Sequence, residues 1–205
     1  MTERFVGRFR GGRVEGNRPE SLPNWLISTS DSDVAAEVTQ LLGGHPEGRQ
    51  IGSRTHLEIE TKVNEVEIVI SGPSALTVDM RLWHRRGLVH HCDGAAHLTP
   101  ESARGKPCGC PQSITERKAA AKAFQGPQPH IALTFSLTGA PHLGPFLFHS
   151  MSWELAEGIQ QTKQALMESN GPAIAALRLE RVELKTRRGV AVFYHKPAIE
   201  LQKPK

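Results

Sequence analysis

Cysteine and histidine are concentrated in one stretch of the chain, residues 83–111. It contains all three cysteines, Cys92, Cys108 and Cys110, and four of the ten histidines in the 205-residue chain. Thiolate and imidazole groups are ligands that suit zinc, at about 2.0–2.3 Å from the ion. Two separate segments supply the thiols, and glycine and proline residues allow each segment to bend tightly. The sequence therefore predicts a structural zinc site with three cysteines and one histidine.

The fourth ligand is less clearly specified than the cysteines. His97 is the first choice, because it lies five residues after Cys92 and inside the loop that Cys108 closes. His91 and His130 are the alternatives, although adjacent residues of an extended chain, such as His91 and Cys92, point in opposite directions. The competing interpretation is that the thiols are small buried apolar groups and the histidines are surface residues. Clustering of three cysteines within residues 92–110 favours the metal.

A catalytic zinc site is a weaker interpretation of the same residues. Zinc deaminases combine a His-x-Glu motif with a later Pro-Cys-x-x-Cys motif. This chain has His56 and Glu58 at the first spacing, but Cys108 and Cys110 are one residue too close for the second. No phosphate-binding glycine loop, nucleophile elbow or His-Glu-x-x-His motif is present in the sequence. We therefore expect a protein without enzymatic activity or a small-molecule substrate.

Composition limits the class of protein only broadly. The chain is long enough for one large or two small domains. Its net charge of +4 and pI of about 9.1 are compatible with contact near nucleic acid but do not demonstrate it. No apolar run is long enough to cross a bilayer, and the first residues lack the apolar segment of a signal peptide. We expect a cytoplasmic protein that does not contact a membrane.

Hydrophobic periodicity predicts an α+β fold of antiparallel sheets with a few helices. The predicted parts are a basic arm (1–23), an N-terminal α+β half (24–82), a zinc-binding loop (83–112) and a C-terminal α+β half (113–205). One helix is predicted to begin after a cap at Ser30 or Asp31 and to end at Leu42, a second covers 113–124 with Ser113 as its cap, and a third covers 153–169 after Ser152. Alternating apolar residues predict two hairpins, one joining 57–61 to 66–70 and one joining 175–184 to 190–194. A strand, a helix and a hairpin follow one another in both halves, which suggests a pseudo-repeat on either side of the zinc loop.

Several segments resemble a known protein family. They are Gly7–Arg10, Arg18–Leu22, Trp25–Gly44, His91–Gly94, Lys106–Pro111 and Leu143–Ala156. Together they resemble actinobacterial phage and prophage proteins that include recombination directionality factors, the accessory partners of large serine integrases. Relatives often have a fourth cysteine shortly before the strand that begins here near Ile131. This chain has residues 126–129 there without a cysteine, which is why a histidine is expected to complete the zinc site.

The resemblance implies a function based on protein binding. Such a factor binds the integrase, contacts DNA only through it, permits excision between attL and attR, and inhibits integration between attP and attB. The alternative is a zinc-stabilised nucleic-acid-binding protein that uses basic segments to contact phosphates. Exposed basic residues are the candidates for partner binding, and we select three pairs: Arg85 and Arg86, Arg117 and Lys118, Arg187 and Arg188.

Overall fold

A computed structural model describes residues 5–16, 18–51, 54–169, 171–185 and 189–202. The described chain contains three α-helices and twelve strands, so the predicted α+β fold is confirmed. The helices are α1 (Ser32–Leu42), α2 (Ile114–Lys122) and α3 (Trp153–Glu168). The strands are β1 (Gly7–Glu15), β2 (Arg18–Thr29), β3 (Pro46–Ile51), β4 (Arg54–Glu60), β5 (Glu65–Ile70), β6 (Leu76–His84), β7 (Gly87–Cys92), β8 (His97–Thr99), β9 (Gln128–Leu137), β10 (Phe146–Ser150), β11 (Ala173–Lys185) and β12 (Ala191–Leu201).

Two of the three predicted helix caps form, those of α1 and α3. Ser113 precedes α2, but its side chain makes no capping hydrogen bond. Asp31 caps α1, with its side chain accepting hydrogen bonds from the backbone N–H groups of Asp33 and Val34. Ser152 caps α3 by accepting from the N–H of Leu155. These side chains satisfy N–H groups that the first turn of a helix leaves without a partner.

The twelve strands belong to one sheet. Its main path has the order β12-β11-β5-β9-β10-β1-β2-β4-β3, and the pairing of β1 with β10 is parallel, whereas the other pairings between described strands are antiparallel. The sheet is strongly curved. Its first strand in this order, β12, contacts β2, and the N–H of His195 donates to Ser21 Oγ at 3.2 Å.

A single apolar core lies inside this curl. Phe9 is at its centre, with edge-to-face contacts to Phe135 at 5.2 Å and Trp25 at 5.8 Å between ring centroids. Helices α1 and α3 contribute to the same core through Val38 and Ile159. Both predicted halves of the chain therefore share one core, and their description as separate parts stays a prediction.

The metal-ligand candidates lie on a branch of the sheet. One edge of β9 carries two partners: Gln128–Leu133 pairs with β6, and Ser136–Leu137 pairs with β5. Strand β6 then pairs with β7, and β7 pairs with β8. We call these three strands the β6–β8 branch.

One predicted hairpin is wrong. Strands β4 and β5 do not pair with each other: β4 pairs with β2 and β3, whereas β5 pairs with β9 and β11. Trp25 separates them, since its carbonyl accepts from the N–H of Thr61 at 2.9 Å and its N–H donates to the carbonyl of Val63 at 3.2 Å. The chain between the two strands is therefore bound to β2. Alternation alone identifies a strand but not its partner.

Other sequence predictions have mixed outcomes. The C-terminal hairpin is confirmed as β11 and β12. Most of the predicted arm is strand, since β1 and the first part of β2 lie within residues 1–23. The predicted order of strand, helix and hairpin is formed in the second half by β10, α3 and the β11–β12 hairpin. In the first half it is formed by β2, α1 and a hairpin of β3 with β4, and not by the predicted pairing of 57–61 with 66–70. A pseudo-repeat stays a prediction. No helix in the described part of the chain is long and apolar enough to span a membrane.

Candidate metal centre

Four side chains of the β6–β8 branch and its following loop converge on one point. They are His90 and Cys92 of β7 and Cys108 and Cys110 of the loop, and their ligand atoms all lie within 4.8 Å of one another. No other group of three or more histidine, cysteine or acidic residues in the described ranges meets in this way. The four residues can hold a metal ion.

Strand geometry explains how β7 supplies two of these ligands. His90 and Cys92 are two residues apart, so their side chains lie on the same face of the strand. His91 lies between them and points to the opposite face. The alternation that disfavours His91 as a ligand therefore favours His90, and this was the signal in the sequence that could have identified it.

Two distances between candidate ligand atoms match those expected around a tetrahedral zinc ion. Bonds of about 2.3 Å to sulfur and about 2.0 Å to nitrogen, at the tetrahedral angle, separate two sulfurs by about 3.8 Å and sulfur from nitrogen by about 3.5 Å. The Sγ atoms of Cys92 and Cys110 are 3.7 Å apart, and Cys110 Sγ is 3.5 Å from His90 Nε2. Both distances are those of neighbouring ligands around one ion.

A tight turn follows Cys92 and brings the loop back to it. The Asp93 carboxylate accepts hydrogen bonds from the N–H groups of Ala95 and Ala96 at 2.8 and 2.7 Å. The carbonyl of Ala95 in turn accepts from the N–H of Cys108 at 2.9 Å. These hydrogen bonds therefore position Cys108 and Cys110 against the end of β7.

Arg117 of α2 connects the two segments that carry the candidate ligands. Its Nε donates to the carbonyl of Pro111 at 2.5 Å and its Nη2 to the carbonyl of Gly94 at 2.8 Å. Gly94 has a φ of +98°, and a Cβ there would lie 2.6 Å from Arg117 Nη1. Only glycine meets both requirements without displacing the arginine.

Burial decides the protonation of the ligands in the absence of a metal. It raises the pKa of Cys92 and also that of Cys110, where the neighbouring Cys108 adds to the effect. Burial also lowers the pKa of His90, helped by His97 and His91. The imidazole is thus neutral and ready to bind a metal, whereas the two thiols must release protons as the ion enters.

The histidines predicted from the sequence lie near the centre but outside the group of four. The ring of His97 is 4.9 Å from that of His90 between centroids, and His97 as the fourth ligand stays a prediction. The two alternatives face a different group, the buried Asp79. His91 Nε2 is 3.3 Å from Asp79 Oδ2, and His130 Nδ1 is 3.6 Å from Asp79 Oδ1.

The six basic candidates for partner binding differ in their surroundings. Arg85 and Arg86 are exposed in the turn between β6 and β7. Arg117 is occupied by the two carbonyls described above, and Lys118 Nζ lies 2.8 Å from Glu157 Oε1. The third pair, Arg187 and Arg188, lies outside the described residues.

The deaminase-like glutamate forms ion pairs away from the cysteines. Glu58 lies on β4, which pairs with β2 and β3 and not with the β6–β8 branch. Its buried carboxylate accepts hydrogen bonds from Arg10 and, at 2.9 Å, from Arg49. Glu58 is therefore an ion-pair residue at the other end of the sheet from the cysteines.

A sequence model of the family described as "Gp3-like: Recombination directionality factor-like" matches residues 6–200. No solved structure matches the chain.

Proposed function

The chain belongs to the Gp3-like recombination directionality factor-like family, and from this premise we propose that it is a non-enzymatic partner of a large serine integrase. It acts in the bacterial cytoplasm by binding the integrase on its DNA sites. Bound factor permits recombination between attL and attR and inhibits recombination between attP and attB. The match over residues 6–200 is the observation that carries this proposal.

The physical mechanism is a shift of population between integrase complexes. A ligand with equal affinity for two states does not change their ratio, however tightly it binds. The factor must therefore bind the excision-competent synapse more tightly than the complex that joins attP to attB. A ratio of affinities of about 10⁴ moves a two-state equilibrium from 1:99 to 99:1.

The metal centre supports a structural role in this function. We propose that the ion is Zn²⁺, because three thiols and one imidazole whose ligand atoms lie within 4.8 Å of one another make up a closed set of four ligands. Catalytic zinc instead keeps a position open for water. A closed site fixes β7 to the loop that follows β8 and gives the factor a rigid body for partner binding.

The ion pairs of β1 argue against a phosphate-binding arm. Arg10 pairs with Glu58, and Arg13 pairs with Glu20 at 3.0 Å and with Glu60 at 3.2 Å. Guanidinium groups held by carboxylates are less available to a DNA backbone. This observation favours a protein partner over the nucleic-acid-binding alternative.

A recombination assay in vitro tests the proposal. The probe is the purified large serine integrase encoded in the same phage or prophage, with attL × attR and attP × attB substrates scored separately. Added factor should start the first reaction and suppress the second. An unchanged ratio of the two reactions would refute the proposal. Factor binding to free duplex DNA, without integrase and falling steeply with salt, would instead support the nucleic-acid-binding function.

A further inference from the structure

The turn between β6 and β7 extends beyond the rest of the sheet. Strand β6 pairs with β9 only over Leu76–Arg81. Beyond that point, residues 82–84 of β6 pair with β7 alone. We call residues 83–89 the β6–β7 tip. Both faces of a two-stranded ribbon are open to a partner, so the tip is sterically available.

The tip exposes three large apolar side chains. Trp83 is 61% exposed, Val89 is 57% exposed and Leu88 is 36% exposed. Trp83 and Leu88 are directly opposite each other on the two strands, so they share a face. A cluster of exposed apolar side chains on a protein surface marks an interaction site more often than a single one does.

A break in strand register creates this arrangement. Leu82 is opposite His90, but the next residue, Trp83, is opposite Leu88, so Val89 is the extra residue of a β-bulge. Bulges increase the local twist and redirect side chains. Without the bulge, Trp83 would be opposite Val89, and Leu88 would move to the other face.

The charge of the tip indicates the chemistry of the partner. Arg85 and Arg86 are exposed in the turn, with no hydrogen-bond or ion-pair partner in the described part of the chain. The sequence has no acidic residue between Asp79 and Asp93, and Asp79 is bound to Arg81 by two contacts of 2.7 Å. The tip therefore presents two uncompensated positive charges beside an apolar cluster. Tryptophan and arginine are among the residue types enriched in the residues that contribute most to binding energy at protein interfaces.

We propose that the β6–β7 tip is the surface that docks on the integrase, in an apolar cleft bordered by carboxylates. This inference rests on the proposed function and specifies the binding surface. An acidic protein surface fits better than DNA, since the aliphatic side chains Leu88 and Val89 gain little from contact with phosphates. The metal centre supports the docking, because His90 follows Val89 directly and fixes the base of the ribbon before the partner binds.

Binding of the full-length factor to the purified integrase tests the tip directly. Trp83→Ala should raise the Kd by about 30-fold or more, as expected for a central aromatic contact. The paired change Leu88→Ser with Val89→Ser should weaken binding similarly. Arg86→Glu should raise the Kd about tenfold at low salt, and the difference should shrink as salt is added.

Two matched controls lie far from the tip in the sequence. Met167→Ser replaces another exposed apolar residue, on α3, and Lys62→Glu reverses another exposed charge. Neither should change the Kd by more than about twofold. Bound metal per chain and the melting temperature establish that each variant is folded. A photo-crosslinking amino acid in place of Leu88 provides a measurement in the otherwise unchanged chain, with position 167 as its control.

The outcomes separate the surface from the function. If the wild type binds the integrase and the tip variants bind equally well, the docking surface is wrong while the proposed function stands. If the wild type does not bind the integrase, both are wrong. If the tip variants lose affinity for duplex DNA without integrase, the tip is a nucleic-acid surface and the proposal is refuted. Crosslinking of the integrase from position 88 and not from 167 would support it.

Discussion

Replacement of His90 is the most informative test of the metal centre. His90→Gln removes the imidazole whose Nε2 lies 3.5 Å from Cys110 Sγ, whereas His97→Gln removes the neighbouring ring outside the group of four. Binding of structural zinc is worth about 10–16 kcal/mol in zinc-finger peptides. If four ligands contribute equally, each accounts for about 2.5–4 kcal/mol, so His90→Gln should weaken zinc about 10²- to 10³-fold.

Competition with a chromophoric zinc chelator at pH 7 measures this affinity, and Co²⁺ substitution reports the ligand set through its visible absorption. We expect His97→Gln to change the affinity by less than about tenfold, and to leave the cobalt spectrum of a tetrahedral site with three sulfurs intact. A large loss of affinity for His97→Gln with normal affinity for His90→Gln would refute the assignment of His90. It would show that the imidazole of His97 completes the site.

Three further predictions concern the metal, an ion pair and a glycine. Chelation should make residues 87–111 sensitive to protease while most of the far-UV circular dichroism signal remains, because the apolar core contains none of the four ligands; loss of the whole signal would contradict this. Glu58→Gln should lower the free energy of unfolding at pH 7 by about 1–3 kcal/mol in denaturant titrations, since it removes the acceptor of two arginines. Burial alone would raise the pKa of Glu58, but hydrogen bonds from Arg10 and Arg49 outweigh burial and lower it. The stabilisation by Glu58 should therefore be complete above about pH 4.5 and should fade at lower pH in the wild type only. Equal acid sensitivity of the wild type and the variant would refute Glu58 as the source of this stabilisation. Gly94→Ala should reduce zinc retention more than Gly109→Ala in the same competition assay. Both glycines have positive φ, but of the two only Gly94 would place an added Cβ within 4 Å of a side chain, that of Arg117. Equal effects would show that the contacts of Arg117 are unimportant for the site.

Local structure was well predicted from the sequence because its signals are local. Asp31, one of two candidate caps, and Ser152 cap α1 and α3, whereas Ser113 does not cap α2. Alternating apolar residues mark the strands, because this pattern depends on residues a few positions apart. Partner choice is different. Strand β5 pairs with β9 and β11, which are distant in sequence, and no feature of β5 itself specifies them.

In the candidate site, too, local features were predictable from the sequence and spatial neighbours were not. The three cysteines were predicted by type and clustering, and the structure brings their sulfurs together. The choice among histidines needed the orientation of each side chain on β7, which depends on knowing that residues 87–92 are a strand. The contacts of the predicted basic arm could not be inferred from the sequence for a related reason. Arg10 meets Glu58 only because β1 and β4 both flank β2, and the sequence does not reveal that neighbour.

The pairing of β5 has a consequence for synthesis on the ribosome. Strands β1 to β4 can pair with one another soon after they leave the ribosome. Only the pairing of β1 with β10 must wait for later residues. Strand β5 must wait, since its ladders are with Leu137 and Ser136 of β9 and, later still, with residues 173–178. Val66, Ile68 and Ile70 therefore stay solvated while much of the remaining polypeptide is translated. Nascent chains of this protein should depend on holding chaperones during that interval.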